Sequence, residues 1–509
     1  MKKFIIIFSA LCLIFAPLTA QLPKNRTTST IIADALTQLP ASDQAVYNQT
    51  LTALTATGEE GLIELVQMMT PPEKKANAVI EYALSGWTNF VANNEPQRIV
   101  AAKAYIKALS VTNIPEIKAF IIAQLEKIGK EESIDVLLPL LQDNYLASPA
   151  AQALVAIKLS KADDALLSVL QKGKPEFRMI MANAVGQTAN QQAEPFLLSM
   201  LKNKPSPEME TVLLKAISSC GTRLSLRPLE EKVRQAGYQY EKTGALAAYI
   251  SLIEKLTANG NAPEAVKAAE VLFEKTTKTE NHQAAVAALN ILMKDKKVNK
   301  LNLLKQILKE GNSVIVANAL SLYSPYADAK GVKYIVNQLE ESVPAVKEQV
   351  LYWLGNTRQK RQLPDVLSFI SSKDRKLQIA AIYSAEKLGG KEALDALAGL
   401  LKETDQKLLD LTESALMSSS EDVASVVVAG YDNYSQEGKL IALKLLAANR
   451  ATTHSAFVFR QARSSDPAIH EAALKTLKDV VTEKQLQELF KLLEQETRPA
   501  NILEIQLAI

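Results

Sequence analysis

The residues of this 509-residue chain that could carry chemistry are three histidines, two cysteines and a broad spread of carboxylates. Metal ligation needs donors at helical or turn spacing. His282, His454 and His470 stand alone, without H-E-x-x-H, C-x-x-C or a second His one turn away. His470 is read as a solvated or inter-repeat hydrogen-bonding residue. Acyl transfer by a nucleophile elbow needs G-x-S-x-G, and phosphate or dinucleotide binding needs a glycine-rich loop; the sequence has neither. Cys220 falls at a core position of its helical pattern, which predicts a buried, inert thiol. The carboxylates lie on solvated helix faces, and no acid–base pair follows from them. The sequence therefore predicts no catalytic, cofactor-binding or metal-binding residue.

Two surface features remain. Lys294, Lys296, Lys297, Lys300, Lys305 and Lys309 form a basic cluster that could grip an anionic polymer or membrane surface. Asp295 and Glu310 offset it and no aromatic residues interleave with it in sequence, so a solvated face is expected. Aromatic density rises at Tyr323, Tyr326, Tyr334, Tyr352, Trp353 and Tyr383. Trp353 lies at the edge of a buried stripe and is expected in the core, whereas Tyr352 points nearly opposite that stripe. Tyr352, Tyr383, Tyr334 and Tyr326 are the candidate partner-binding residues, and exposed tyrosines in such a group would mark a protein or glycan surface.

The elements that must position these residues follow from one recurring pattern, clearest in Asp466–Val480, DPAIHEAALKTLKDV. Counting from Ile469, apolar or small residues return at Ala473, Leu474, Leu477 and Val480, one buried face of a helix. The same register holds from Ile117, Phe177, Met209, Val346 and Leu377. Asp or Pro opens these helices. Gly129, Gly186, Gly221, Gly355 and Gly389 stand at the far end of five of them, which predicts chain reversal through positive φ. A shorter amphipathic segment follows each, as at Ser133–Leu141, Ala193–Leu201, Asp365–Ile370 and Lys391–Lys402. A unit spacing of roughly 30–40 residues predicts a helix-pair solenoid of roughly a dozen pairs.

Pro175-Glu176-Phe177-Arg178 with Ala184-Val185-Gly186, and Asp466-Pro467-Ala468-Ile469-His470 with Ala472-Ala473-Leu474, resemble the bacterial HEAT-like repeat, including the type first noted in phycobilisome lyases. The resemblance covers roughly Asn113 to the end. It is weakest across Tyr238–Tyr326, where Thr243–Thr257, Ala262–Thr276, Gln283–Lys294 and Lys300–Lys309 keep amphipathy but lose the Pro and Gly punctuation. It implies an all-α, right-handed α-α superhelix of the HEAT/armadillo-like kind. It further implies that a basic residue after the first apolar position pairs with an acid of a neighbouring repeat. Lys118, Arg178, Lys347 and His470 occupy that position, but Glu210 and Gln378 interrupt the series.

Met1–Ala20 has two lysines, an apolar run and a small-residue cleavage site, the pattern of a secretory signal. Export to the periplasm or the cell surface of a Gram-negative bacterium is expected, with no transmembrane segment. Only Cys220 remains after cleavage, so no intramolecular disulfide forms and helix packing alone must supply stability. The sequons at Asn25, Asn48 and Asn433 are no more than chance gives. A net charge of +3 recruits no nucleic acid.

Residues 21–110 are read as a helical lead-in with capping repeats, and 111–509 as the repeat solenoid. Arg498–Ile509 opens a helix whose Leu507 and Ile509 find no partner, which predicts further repeats or another domain beyond. Signal, lead-in and open end also resemble the front of exported proteins that carry a 3-keto-disaccharide hydrolase-type domain. That resemblance implies a scaffold within a larger carbohydrate-active enzyme. Export and the lack of an available nucleophile argue against a bilin lyase. The expected role is a non-catalytic scaffold for a protein partner or a covalently linked C-terminal domain, with a glycan as the further partner class.

Overall fold

The computed structural model describes residues 26–71, 77–260 and 263–509. The expected signal segment Met1–Ala20, the Asn25 sequon, the start of the helix expected from Glu73 and Ala262 lie outside the described residues. Among the described residues there are 30 α-helices joined by short 3-10 turns, and no strand. The fold is the all-α helix-pair solenoid that the periodicity predicts, divided into two compact units, Met1–Leu256 and Thr257–Ile509.

In the first unit the helices Gln44–Thr55, Ala78–Val91, Pro115–Ile128, Ala147–Ile157, Arg178–Thr188 and Pro207–Cys220 stack each on the next. Their companions, beginning with Thr28–Gln38, Gly58–Gln67 and Glu95–Val111, form a second layer against them. Ile117, Ile121, Ile122, Leu125 and Ile128 are all buried, so the apolar stripe is the face on which this layer stacks. Pro115 and Pro207 sit in the first turns of their helices, where a missing N–H costs nothing. Pro175 instead opens a 3-10 turn, Pro175–Phe177, ahead of Arg178–Thr188.

In the second unit the first helices begin at Ser313, Pro344, Arg375, Gln406, Gln436, Pro467 and Pro499, a spacing of 30 to 32 residues. This is the short end of the expected range. Second helices such as Leu363–Leu367 are only five residues long, which fits more pairs into the chain than the dozen expected. One apolar core runs without interruption from Ala285 to Ile505. Asp374 and Asp466 cap their helices, their carboxylates accepting the backbone N–H groups of Lys376 and Leu377, and of Ala468 and Ile469. Gln485 accepts from the Thr482 N–H at 2.9 Å, the return half of the expected capping box.

The glycines depart from expectation. Of the five helix-end glycines, only Gly389 turns the chain at positive φ, +66°. Gly129 and Gly221 end their helices at φ −68° and −62°. Gly186 and Gly355 lie inside their helices, where a Cβ would come within 2.8 Å of the Ala216 and Ser384 Cα atoms of the next first helix. Glycine is there for close helix approach. Punctuation also persists where the sequence pattern loosens: Pro263 starts the helix Pro263–Lys278, and Gly311, at φ +78°, ends Lys300–Glu310.

Candidate partner-binding surface

Lys300 and Lys305 belong to the second helix Lys300–Glu310, and Tyr334 to the following second helix, Ala329–Glu341. Tyr326 ends the 3-10 turn Ser324–Tyr326 between them and is exposed. The Lys300 ammonium stands 4.7 Å from the Tyr326 ring centroid, and that of Lys305 stands 4.8 Å from the Tyr334 ring. Each pair is a cation over an aromatic face, worth about 0.5–1 kcal/mol at an exposed site. Lys300 also donates to the Asp295 carbonyl at 2.8 Å, which fixes its stem. The turn carrying Tyr326 is pinned from below, because the buried Trp353 indole N–H donates to Ser324 Oγ at 2.8 Å. Trp353 is thus in the core, as its register predicts. Two of the lysines and two aromatics that looked separate in sequence meet in space, which removes one of the two grounds for reading the basic cluster as a bare solvated face; Asp295 and Glu310 still offset its charge.

Tyr352 and Tyr383 sit elsewhere, on the first helices Pro344–Asn356 and Arg375–Leu388. Their rings meet edge to face at 5.4 Å, Tyr383 donates to Asn356 Oδ1 at 2.9 Å, and Lys387 stands 5.4 Å from the Tyr383 ring. Tyr352 was expected to point into solvent. It is half-buried against the core, because the next first helix brings Tyr383 over it. The four candidate tyrosines therefore form two separate pairings: Tyr326 and Tyr334 under lysines on the second-helix side, Tyr352 and Tyr383 on the first-helix layer.

The other singled-out residues are structural. Burial pushes the Cys220 thiol up to about 11, and its sulfur lies 3.4 Å from the Val185 carbonyl oxygen, as a weak donor. His470 bridges repeats, with Nδ1 2.8 Å from the Ala462 carbonyl and Nε2 2.7 Å from Glu496. Lys347, at the equivalent position, reaches the Glu340 carbonyl instead, at 3.1 Å. No group of three or more His, Cys, Asp or Glu is placed to hold a metal among the described residues. Among the same residues, no helix is long and apolar enough to cross a membrane.

Two buried ionic groups escaped the sequence reading. Arg98, 3% exposed, donates to Glu95 at 2.9 Å, Glu132 at 2.6 Å and the Ile128 carbonyl at 2.5 Å. Glu194 accepts from the Thr222 N–H, Thr222 Oγ1 and Ser225 Oγ at 2.7, 2.8 and 2.5 Å. Both tie neighbouring repeats together. The one sequence signal was Thr222-x-x-Ser225 after Gly221, whose significance depends on a carboxylate about one repeat earlier.

Residues 332–417 match the family model for HEAT repeats, a stretch that includes Tyr334, Tyr352 and Tyr383. No curated protein matches the chain. Among solved structures, a homology model of the full-length AP-3 complex in an intermediate open conformation is 14% identical, with 95% of this chain and 98% of that one covered at a TM-score of 0.40. Kap95p, in its complex with RanGDP, is 12% identical over 94% of this chain and 73% of its own at 0.39. Kap121p is 12% identical over 94% and 67% at 0.35.

Proposed function

We propose that the chain is an exported, non-catalytic repeat scaffold that holds a protein partner on its second-helix side, with Lys300–Tyr326 and Lys305–Tyr334 as the selecting contact. The observation that carries this reading is the pair of lysines on one second helix, held over the tyrosine rings of the following turn and the following second helix. Aromatic residues are enriched at protein interfaces. Side chains already fixed against one another lose less freedom on binding. The positive field of the cluster selects an acidic partner surface and speeds its approach. Export rests on the signal pattern of Met1–Ala20.

The test is capture of partners from the exported fraction of the native cell, with cross-linking, by the wild-type chain and by Lys300→Glu/Lys305→Glu. The wild type is expected to retain an acidic protein that the double variant binds at least tenfold more weakly, while Tyr352→Ala/Tyr383→Ala keeps it. Equal capture by the lysine variant would overturn the assignment. In the alternative reading the stack is the scaffold portion of a larger carbohydrate-active enzyme. Glycan hydrolysis by the purified chain itself would overturn both.

A further inference from the structure

The second unit contains an open groove of about 850 Å³ between two consecutive second helices. One wall is Lys391–Ala398 with its 3-10 extension Gly399–Lys402, and the other is Val423–Gly430 with the turn Tyr431–Asn433. Small residues, Ala398, Gly399, Ala429 and Gly430, line it, with Leu394 and Val426 as the apolar side chains, and the Tyr434 ring and hydroxyl pack over Gly430. A Cβ built on Gly399 meets nothing within 4 Å, so the groove is open down to the backbone there.

Two features give the groove polar groups open to a ligand. Tyr434 lines the groove and is 92% buried, its relative exposure being 8%, and its hydroxyl opens to the groove without a hydrogen-bond partner among the described residues. Burial, and after it the charge of Asp395, keeps the phenol protonated, so it is a donor facing into the groove. The rim also carries Lys391, Asp395, Lys402, Glu421 and Asp422, none of which has an ion-pair partner among the described residues. Ser425 and His454 meet at 3.2 Å near the acidic end, but Asp422 caps the helix through the Ser425 N–H and does not orient the imidazole, so this is no catalytic dyad.

The geometry points to a binding site for an extended peptide of about five residues. Small side chains would lie against the Ala–Gly lining, a basic side chain at Glu421–Asp422, and an acidic side chain or carbonyl at Lys402 and Tyr434. The length follows from the wall: Lys391 to Lys402 rises about 16 Å at about 1.5 Å per residue, the reach of about five residues of extended chain. A peptide brings carbonyls for the phenol and both signs of charge for the rim. A sugar ring would need an aromatic face to stack on. Tyr434 is the one aromatic residue lining the groove, and its ring is buried beside Tyr431, with centroids 6.5 Å apart. This inference rests on the reading of the chain as a protein-binding scaffold and gives that reading a second contact.

The experiment is selection of a displayed random heptapeptide library on the purified full chain, followed by fluorescence anisotropy of the enriched synthetic peptides. Peptides with Lys or Arg and Asp or Glu flanking Gly, Ala or Ser are expected. Gly399→Leu, whose side chain would project into open space, should weaken them at least tenfold with unchanged circular dichroism. Tyr434→Phe, which keeps the ring, should weaken them about three- to tenfold, and Lys300→Glu/Lys305→Glu should leave them unaffected. No enriched consensus, equal binding to Gly399→Leu, or a glycan from an array competing for the groove in place of peptide would each overturn the inference. Partner capture that depends on Lys300 and Lys305 while no peptide is enriched would sink the groove alone and leave the scaffold reading standing.

Discussion

Glu496 shows how much one side chain does at a repeat junction. Its carboxylate accepts from the Arg498 N–H at 2.9 Å, the Thr497 N–H at 2.8 Å, Asn501 Nδ2 at 3.0 Å and His470 Nε2 at 2.7 Å. The Arg498 N–H is the largest cause that holds it down to about 2, against the opposing effect of burial. Because the folded pKa lies below the usual carboxylate value, the stabilisation is complete above about pH 4.5 and is lost as pH falls toward 2. Glu496→Gln should cost about 2 kcal/mol near neutral pH, the range for hydrogen bonds to a charged group, and should flatten the acid limb. Urea denaturation of both proteins across pH 2–7 checks this. A parallel acid limb in the variant would show that other carboxylates govern it.

At the scale of the element, the glycines separate two uses of the same residue. Gly355 lies where Pro344–Asn356 touches Arg375–Leu388, and an added methyl would press on the Ser384 backbone. Gly399 has helical dihedrals, φ −58° and ψ −21°, and open space around its Cβ position. Gly355→Ala should therefore destabilise by about 1–3 kcal/mol through overpacking. Gly399→Ala should be neutral or stabilise by about 0.5 kcal/mol, because it removes backbone freedom from the unfolded chain. Urea midpoints read both, and like-signed shifts would contradict the packing argument. The periodicity placed glycine at the right point in each helix but did not reveal its reason, because helix–helix distance is not a property of either helix alone.

At the scale of the whole molecule, each helix pair leans mainly on its sequence neighbours. Pro467–Val480 packs on Gln436–Ala448, Ser455–Gln461 and Pro499–Ala508. Leu474 is fully buried in that packing. Leu474→Ala should cost about 2–5 kcal/mol. In a quasi-one-dimensional stack that loss stays local. Hydrogen exchange should quicken in these four helices while Ser313–Tyr323 of the same unit keeps its protection. Uniform loss throughout the unit would indicate global cooperativity instead. The last helix buries Asn501 and Ile505 but leaves Leu503 and Leu507 exposed, so its apolar stripe is only partly used.

The sequence by itself determined the helices, their register and most of their caps, because these depend on side chains within about four residues and on which face is apolar. It placed Trp353 and Cys220 in the core on that basis alone, while for His470 it left a solvated and an inter-repeat position open, and packing decided for the second. Tertiary structure decided which side chains meet across repeats. Lys300 found Tyr326, Lys305 found Tyr334, Tyr383 covered Tyr352, and Gly399 and Gly430 came to line one groove. These residues lie about one repeat apart. Their meeting depends on the layer each helix joins and on how closely the next pair is set against it, both fixed by packing between elements.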